Sequence, residues 1–236
     1  MLFTKVMAGA FYYVYANRVP LVKALSLPFI AFLVLGFIWE FEIDWPIWYL
    51  LLALESSLQV IFAITTHRIV LLGKESVPEW GLRSWSKRET FYCLHALSLL
   101  MISTVPLALA LIPFEVAAAV SVSLGLIPFV GAAIALVTIF WVCSRLSLVF
   151  PGIAVDKGVS FQMSWDLTKD YQLLMLLVII VCPVLLAIPI ILLSLIPYTL
   201  ILTNILINFI STMVIVFEVA ALSMAYQLIT SEQQLN

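Results

Sequence analysis

Charged side chains are scarce in this sequence, and their scarcity excludes whole classes of protein. Only 10% of the 236 residues are Asp, Glu, Lys or Arg, whereas soluble domains carry about 25%. Hydrophobic residues make up 64%, and the mean hydropathy is +1.19. One core cannot bury so much apolar surface, because a soluble chain of this length needs a polar exterior. The composition therefore excludes a soluble enzyme and a disordered chain, and it predicts a protein embedded in lipid.

An excess of basic charge is also missing, and cysteines are few. The 11 basic residues are balanced by 13 acidic ones, so no general positive field exists to attract nucleic acid. The three cysteines, Cys93, Cys143 and Cys182, share no short spacing that would indicate a disulfide framework or a zinc motif. We therefore expect no metal, no cofactor and no nucleic-acid partner.

Long apolar runs are the main feature that is present. Six of them approach the roughly 20 residues that a helix needs to cross about 30 Å of hydrocarbon. The predicted spans are 23–39, 48–66, 93–112, 127–147, 172–195 and 200–223. The connection 113–126 is apolar but short, which favours an interfacial or re-entrant turn over a seventh span. The sequence thus predicts an all-α, polytopic membrane protein that forms a single integral membrane domain over 1–236.

All basic residues fall on one side of the membrane if the chain crosses it six times. They are Lys5, Arg18, Lys23, Arg68, Lys74, Arg83, Lys87, Arg88, Arg145, Lys157 and Lys169. The opposite side carries only acidic charges, namely Glu40, Glu42, Asp44 and Glu115. Because loops rich in Lys and Arg remain in the cytoplasm, both termini are expected there. The aromatic segment 1–18 is expected to be a short interfacial helix and not a cleaved signal peptide.

An approximate threefold repeat runs through the chain. The even-numbered spans end with Thr66-His67-Arg68, Cys143-Ser144-Arg145 and Met224-Ala225-Tyr226, and the approaches to the third and fifth spans contain Ser84-Trp85 and Ser164-Trp165. We interpret these matches as three repeated helical hairpins with short cytoplasmic interfacial helices, in units of about 1–72, 73–149 and 150–236. Alternatively, aromatic and basic residues simply gather at the cytoplasmic membrane surface, as in any membrane protein. In either case Arg68, Trp85, Arg145 and Trp165 are expected at the cytoplasmic interface.

One stretch carries a family resemblance. The sequence RLSLVFPGIAVDKG at 145–158, followed by SWDLT at 164–168, resembles poorly characterised bacterial six-span inner-membrane proteins. These are similar to the membrane domain that accompanies some glycerophosphodiester phosphodiesterases. The resemblance implies a location in the bacterial inner membrane, with no activity of its own established. It does not bring the phosphodiesterase chemistry, because His67-Arg68 matches only the start of that catalytic domain and no barrel of carboxylates follows.

Catalytic patterns are absent from the sequence. It has no glycine-rich phosphate loop, no His-Glu-x-x-His and no Gly-x-Ser-x-Gly motif. His67 is expected at a helix end near the lipid headgroups, and His95 at a helix start, with no third nitrogen ligand for a metal. We therefore expect that the protein is not an enzyme.

Polar residues inside the membrane leave two interpretations open. Asn204, Asn208, Ser211 and Glu218 fall on one stripe of the sixth span, and Glu55 and Gln59 share a face of the second. They form either a seam of cross-helix hydrogen bonds, worth about 0.6 kcal/mol each, or the path of a proton or polar substrate. Two acids without a buried base favour the seam. The favoured function is an organising or interaction role linked to envelope lipids, with anionic headgroups as partners; the alternative is a small transporter or channel that uses Glu55 and Glu218.

Overall fold

The computed structural model describes an all-helical chain. It covers the backbone of residues 2–38, 45–80, 84–120, 126–195 and 201–233, with the side chains at 110, 113–120, 126–128 and 201–204 left out. The longer elements are α1 (Leu2–Ala16), α2 (Arg18–Ile38), α3 (Trp45–Leu72), α4 (Lys87–Val120), α5 (Leu126–Leu146) and α10 (Ile201–Gln233). The shorter ones are α6 (Val149–Ala154), α7 (Phe161–Leu167), α8 (Gln172–Leu176) and α9 (Cys182–Ser194).

Six helical segments are long and apolar enough to cross a membrane, as the sequence predicted. They are Arg18–Ile38, Trp45–Leu72, Lys87–Leu109, Phe129–Ala154, Lys169–Ser194 and Ile205–Gln233. These helices can carry apolar side chains on every face, because lipid acyl chains are as apolar as a protein core. The protein is therefore a multi-pass membrane protein by the length and composition of its helices.

Helix α4, which contains the third span, extends further than the sequence predicted. The expected turn over 113–126 is wrong for its first part, because α4 continues without a break to Val120. Proline is tolerated inside membrane helices, and Ala117, Ala118 and Ala119 are strong helix formers. The remaining residues 121–125 lie outside the described part of the chain.

Prolines shape the fifth span, which is helical throughout but irregular. It begins with a 3₁₀ turn at Lys169–Tyr171, continues as α8, widens into a π-helical stretch at Leu177–Val181 and returns to α-helix in α9. Pro183 lies in the first turn of α9, where it cannot donate to the carbonyl four residues earlier. A π-type turn accommodates such a missing donor.

Successive spanning helices contact each other, α2 with α3, α4 with α5, and α9 with α10. The last helix, α10, also contacts α1, α2, α3 and α6 and thus lies at the centre. The main core packs the final turns of α3 and α10 against α6, through residues such as Val70, Phe150, Tyr226 and Ile229. Buried side chains therefore concentrate toward one end of the bundle.

Toward the other end the helices expose apolar side chains. Leu109 of α4, Val137 of α5 and Val184 of α9 are each more than half exposed. Helix association in lipid gains little from hiding such groups. These faces are suited to contact with acyl chains.

The short segments before the spans differ from one another. Helix α1 packs on α10 through Val6 and Ala10, and its Gly9 allows the side chain of Met224 to approach closely. Helix α7 carries Trp165 and is capped by Ser160, whose hydroxyl accepts a hydrogen bond from the Met163 amide. Trp85 instead lies in a non-helical segment before α4.

Candidate functional site

Ion pairs bring the basic residues of different helices to one end of the bundle. Arg68 at the end of α3 lies 2.7 Å from Asp156, which follows α6, and Arg88 at the start of α4 lies 3.1 Å from the same carboxylate. Lys23 of α2 pairs with Glu79 at 2.6 Å. We call this end, which holds Lys23, Arg68, Arg88, Arg145 and their partners, the basic end.

Asp156 is the junction of the basic end. Its backbone has a φ of +60°, a left-handed conformation that aspartate tolerates better than most residues. The guanidinium of Arg68 also donates to the carbonyls of Ala154, at 3.0 Å, and Ser76, at 3.1 Å. One arginine thus ties the end of α3 to the turn that follows it and to the distant end of α6.

The start of α4 is fixed by a capping box. The Glu89 carboxylate accepts the Ser86 backbone amide at 2.8 Å, and the Ser86 hydroxyl oxygen accepts the Arg88 amide at 3.3 Å, so free amides at the helix start are satisfied in both directions. Arg88 donates to the same Glu89 at 3.0 Å. Both side chains are buried, so the ion pair belongs to the fold and is not displayed to a ligand.

Arg145 and Trp165, both predicted at the interface, form a second buried junction. The guanidinium carbon lies 3.6 Å from the Trp165 ring centroid and 5.4 Å from that of Trp141. Its Nη2 donates to the Trp165 carbonyl at 2.5 Å, and its Nε donates to the Thr168 hydroxyl at 3.2 Å. The Ser164 hydroxyl in turn donates to the Arg145 carbonyl at 2.7 Å. Arg145 therefore holds α7 against the end of α5.

The other predicted interface pair, Arg68 and Trp85, is less tightly joined. Both line one small cleft together with Arg88 and Glu89. The Trp85 indole donates to the Thr90 hydroxyl at 2.9 Å and is about half exposed. All four predicted interface residues thus lie at the basic end. The side chains of Arg68 and Arg145 are mostly covered by other parts of the protein, so little of their surface is left to contact a headgroup.

The contact between His67 and Ser223 was not predicted from the sequence. The His67 Nδ1 lies 2.7 Å from the Ser223 hydroxyl oxygen, and that hydroxyl donates its proton to the Val219 carbonyl at 2.8 Å. With the hydroxyl proton assigned to the Val219 carbonyl, Nδ1 is the donor to Ser223. His67 is 0% exposed, so its side chain faces the interior of the bundle and does not contact a headgroup.

A serine beside a histidine can be a nucleophile and its base, but this pair is not arranged for that role. Both residues are fully buried, and the Ser223 proton is already engaged by a backbone carbonyl. The His67 Nε2 and the neighbouring Thr66 Oγ1 are buried without a hydrogen-bond partner among the described residues. The pair joins α3 to α10.

The intramembrane polar residues are spread along α3 and α10. Glu55 is half-buried and Gln59 is exposed on α3, whereas Asn208, Ser211 and Glu218 are half-buried on α10. Asn208 lies beside Gly36 of α2, and Glu218 lies near Cys182 of α9. The Asn204 side chain is outside the described residues. Their assignment as a hydrogen-bonded seam stays a prediction.

The described side chains form no further site for a metal ion, and comparisons with known proteins identify no other site. Among the described side chains, no group of three or more His, Cys, Asp or Glu could hold a metal ion. No protein-family model matches the chain, and no curated protein or solved structure shows significant similarity to it.

Proposed function

We propose that this chain is a non-enzymatic protein of the bacterial inner membrane with an organising or interaction role linked to envelope lipids. The basic end is proposed to face the cytoplasm, with both termini there. The observation that carries this proposal is the gathering of basic residues at one end of the bundle. Positive loops stay in the cytoplasm, and anionic headgroups attract each surface Lys or Arg by about 1 kcal/mol.

The exposed cations are the groups that would meet these headgroups. Arg68, Arg88 and Arg145 are buried in internal contacts. Exposed basic side chains at the same end are Lys5, Arg18, Lys74, Lys87, Lys157 and Lys169. The buried arginines stabilise the fold, whereas the exposed basic side chains leave their charge available to lipid.

The proposal includes the threefold repeat. Its support is that Arg68 and Arg145 each end the second helix of a contacting pair and each donate to the chain that follows. The third unit has Tyr226 at this position, buried against the core. Repeated hairpins would place three similar junctions around the basic end.

The closed packing of the basic end favours an organising role over transport. Several residues from α3, α5 and α10 are wholly inaccessible there, namely Thr66, His67, Ser144, Ser223 and Ala225. A proton or solute that passed Glu55 and Glu218 would have to leave through this layer. Transport therefore requires an opening that the packing opposes.

A flux measurement separates the two functions. Purified protein is reconstituted in vesicles that contain a pH-sensitive dye, and a pH gradient is imposed. We expect wild type, Glu55→Gln and Glu218→Gln to show the proton flux of protein-free vesicles. Because Gln keeps the volume but cannot titrate, a wild-type flux that Glu218→Gln abolishes would establish the transporter instead.

A further inference from the structure

A groove at the basic end lies between the start of α2 and the turn that follows α3. Its volume is about 760 Å³, and its walls include Val19, Pro20 and Val77. Gly73, with a φ of +87°, allows the chain to turn sharply after α3. The groove lies at the start of the first predicted span, and the exposed Trp80 ring, of a residue type common at membrane interfaces, lies 5.8 Å from Lys23 Nζ.

Four charged side chains line this groove as two ion pairs, each of one lysine and one glutamate. Lys23 Nζ lies 2.6 Å from Glu79 Oε1, and Lys74 Nζ lies 3.8 Å from Glu75 Oε1. The hydrogen bond and charge of Lys23 hold the pKa of Glu79 below its usual value, so Glu79 is ionised at neutral pH. Among the described residues, the groove therefore presents two cations and two anions, whose charges cancel.

We propose that this groove binds the headgroup of a zwitterionic phospholipid that carries a primary ammonium group. The lipid phosphate accepts hydrogen bonds from Lys23 and Lys74, and its ammonium donates to Glu75 and Glu79. The apolar walls meet the glycerol and the first carbons of the acyl chains. This inference rests on the proposed placement of the basic end at a membrane surface.

The charge pattern distinguishes this ligand from other headgroups. A purely anionic headgroup satisfies the lysines but faces two carboxylates without a partner. A trimethylammonium group has no N–H, so it cannot donate hydrogen bonds to Glu75 and Glu79. A primary ammonium donates three hydrogen bonds, as a lysine does.

The existing ion pairs do not block the ligand. All four side chains are substantially exposed, from 44% for Lys23 to 89% for Glu75. Exposed ion pairs contribute little to stability, so exchanging each partner for a lipid group of the same charge costs little. The groove can thus open to a headgroup while the fold of the basic end persists.

Native mass spectrometry of the full chain in detergent tests the proposal. Phosphatidylethanolamine, phosphatidylcholine and phosphatidylglycerol with identical acyl chains are added in equal amounts, and bound lipids are counted. We expect wild type to prefer ethanolamine over choline by about fivefold, the ratio that one net hydrogen bond provides. The double variant Glu75→Gln/Glu79→Gln should reduce this preference to about one.

A matched control changes the same charge elsewhere. Asp166 and Asp170 are exposed carboxylates at the basic end and do not line the groove, so Asp166→Asn/Asp170→Asn should keep the ethanolamine preference. Equal binding of ethanolamine and choline lipids by wild type would overturn the inference. A preference that survives the Glu75/Glu79 substitutions, or that the control abolishes, would also overturn it.

These outcomes are separate from those of the proposed function. General attraction of anionic lipid depends on the exposed lysines outside the groove, such as Lys5, Lys157 and Lys169. If the ethanolamine preference is absent but anionic lipids remain enriched around the protein, only the groove is refuted. If anionic enrichment fails while the preference persists, only the general role is refuted.

Discussion

His67 donates from Nδ1 to the hydroxyl oxygen of Ser223, 2.7 Å away and 156 positions later in the chain. Because both residues are buried, this hydrogen bond fixes how α3 and α10 pack together. A cross-helix bond in a membrane contributes about 0.6 kcal/mol, but an orphaned buried donor costs more.

We expect Ser223→Ala to lower the free energy of unfolding by about 1–2 kcal/mol, because the His67 Nδ1–H loses its acceptor. Adding His67→Leu should cost less than the two single changes together, since no buried donor then remains. Unfolding in mixed detergents followed by circular dichroism measures both. Additive effects would show that the two side chains do not interact.

Removing the carboxylate of Asp156 should destabilise the basic end. Two buried arginines depend on it, but Asp156 itself is 60% exposed, so solvent screening reduces the loss for Asp156→Ala to about 1–2 kcal/mol. Asp156→Asn keeps an acceptor and tolerates the left-handed backbone, and it should cost less. The same unfolding measurement applies. If Asp156→Ala changes nothing, this junction does not stabilise the bundle.

Arg145→Lys should destabilise the protein, although the substitution keeps the positive charge. Lysine cannot stack a planar group on Trp165 while it donates to two oxygens, and the expected loss is about 1–3 kcal/mol. Arg18→Lys is the matched control, because Arg18 stacks on Tyr15 at 4.5 Å but is exposed. Melting temperatures in detergent should fall for Arg145→Lys only, and equal shifts would contradict the buried junction.

Gly152 lies where a larger residue does not fit. A Cβ at this position would lie 2.7 Å from the Cβ of Val159, so Gly152→Ala should cost about 1–3 kcal/mol. Val159→Ala in the same chain should recover part of the loss by making room. Gly158 has no atom within 4 Å of an added Cβ, and Gly158→Ala should leave the melting temperature nearly unchanged.

The spanning helices could be predicted from the sequence because each needs only a local apolar run. The end of α4 was misjudged because Pro113 resembles a stop signal in water, whereas lipid and a following alanine run allow the helix to continue. The sequence does not predict the π-helical stretch before Pro183. The proline identifies a missing backbone donor, but it does not indicate whether the helix kinks, breaks or widens there.

Long-range polar contacts were less accessible to sequence reasoning. Arg145 and Trp165 were predicted at the interface because their types and positions recur, but their stacking depends on where α7 folds back. His67 and Ser223 have no common motif or spacing, so only the packing of α3 on α10 brings them together. Glu55 and Glu218 remain a prediction, since helix periodicity identifies a face but not its neighbour.

We propose that the exposed lysines of the basic end gather anionic lipid at the cytoplasmic surface. Three of them, Lys5, Lys157 and Lys169, are replaced by Gln in one variant and by Arg, which keeps the charge, in a control. Each protein is extracted from membranes in polymer-bounded lipid discs, and the lipids are measured by mass spectrometry. We expect wild-type and Arg discs to contain a larger anionic fraction than the bulk membrane, and Gln discs to approach the bulk value. Equal anionic fractions in all three discs and in the membrane would show that these lysines do not gather anionic lipid.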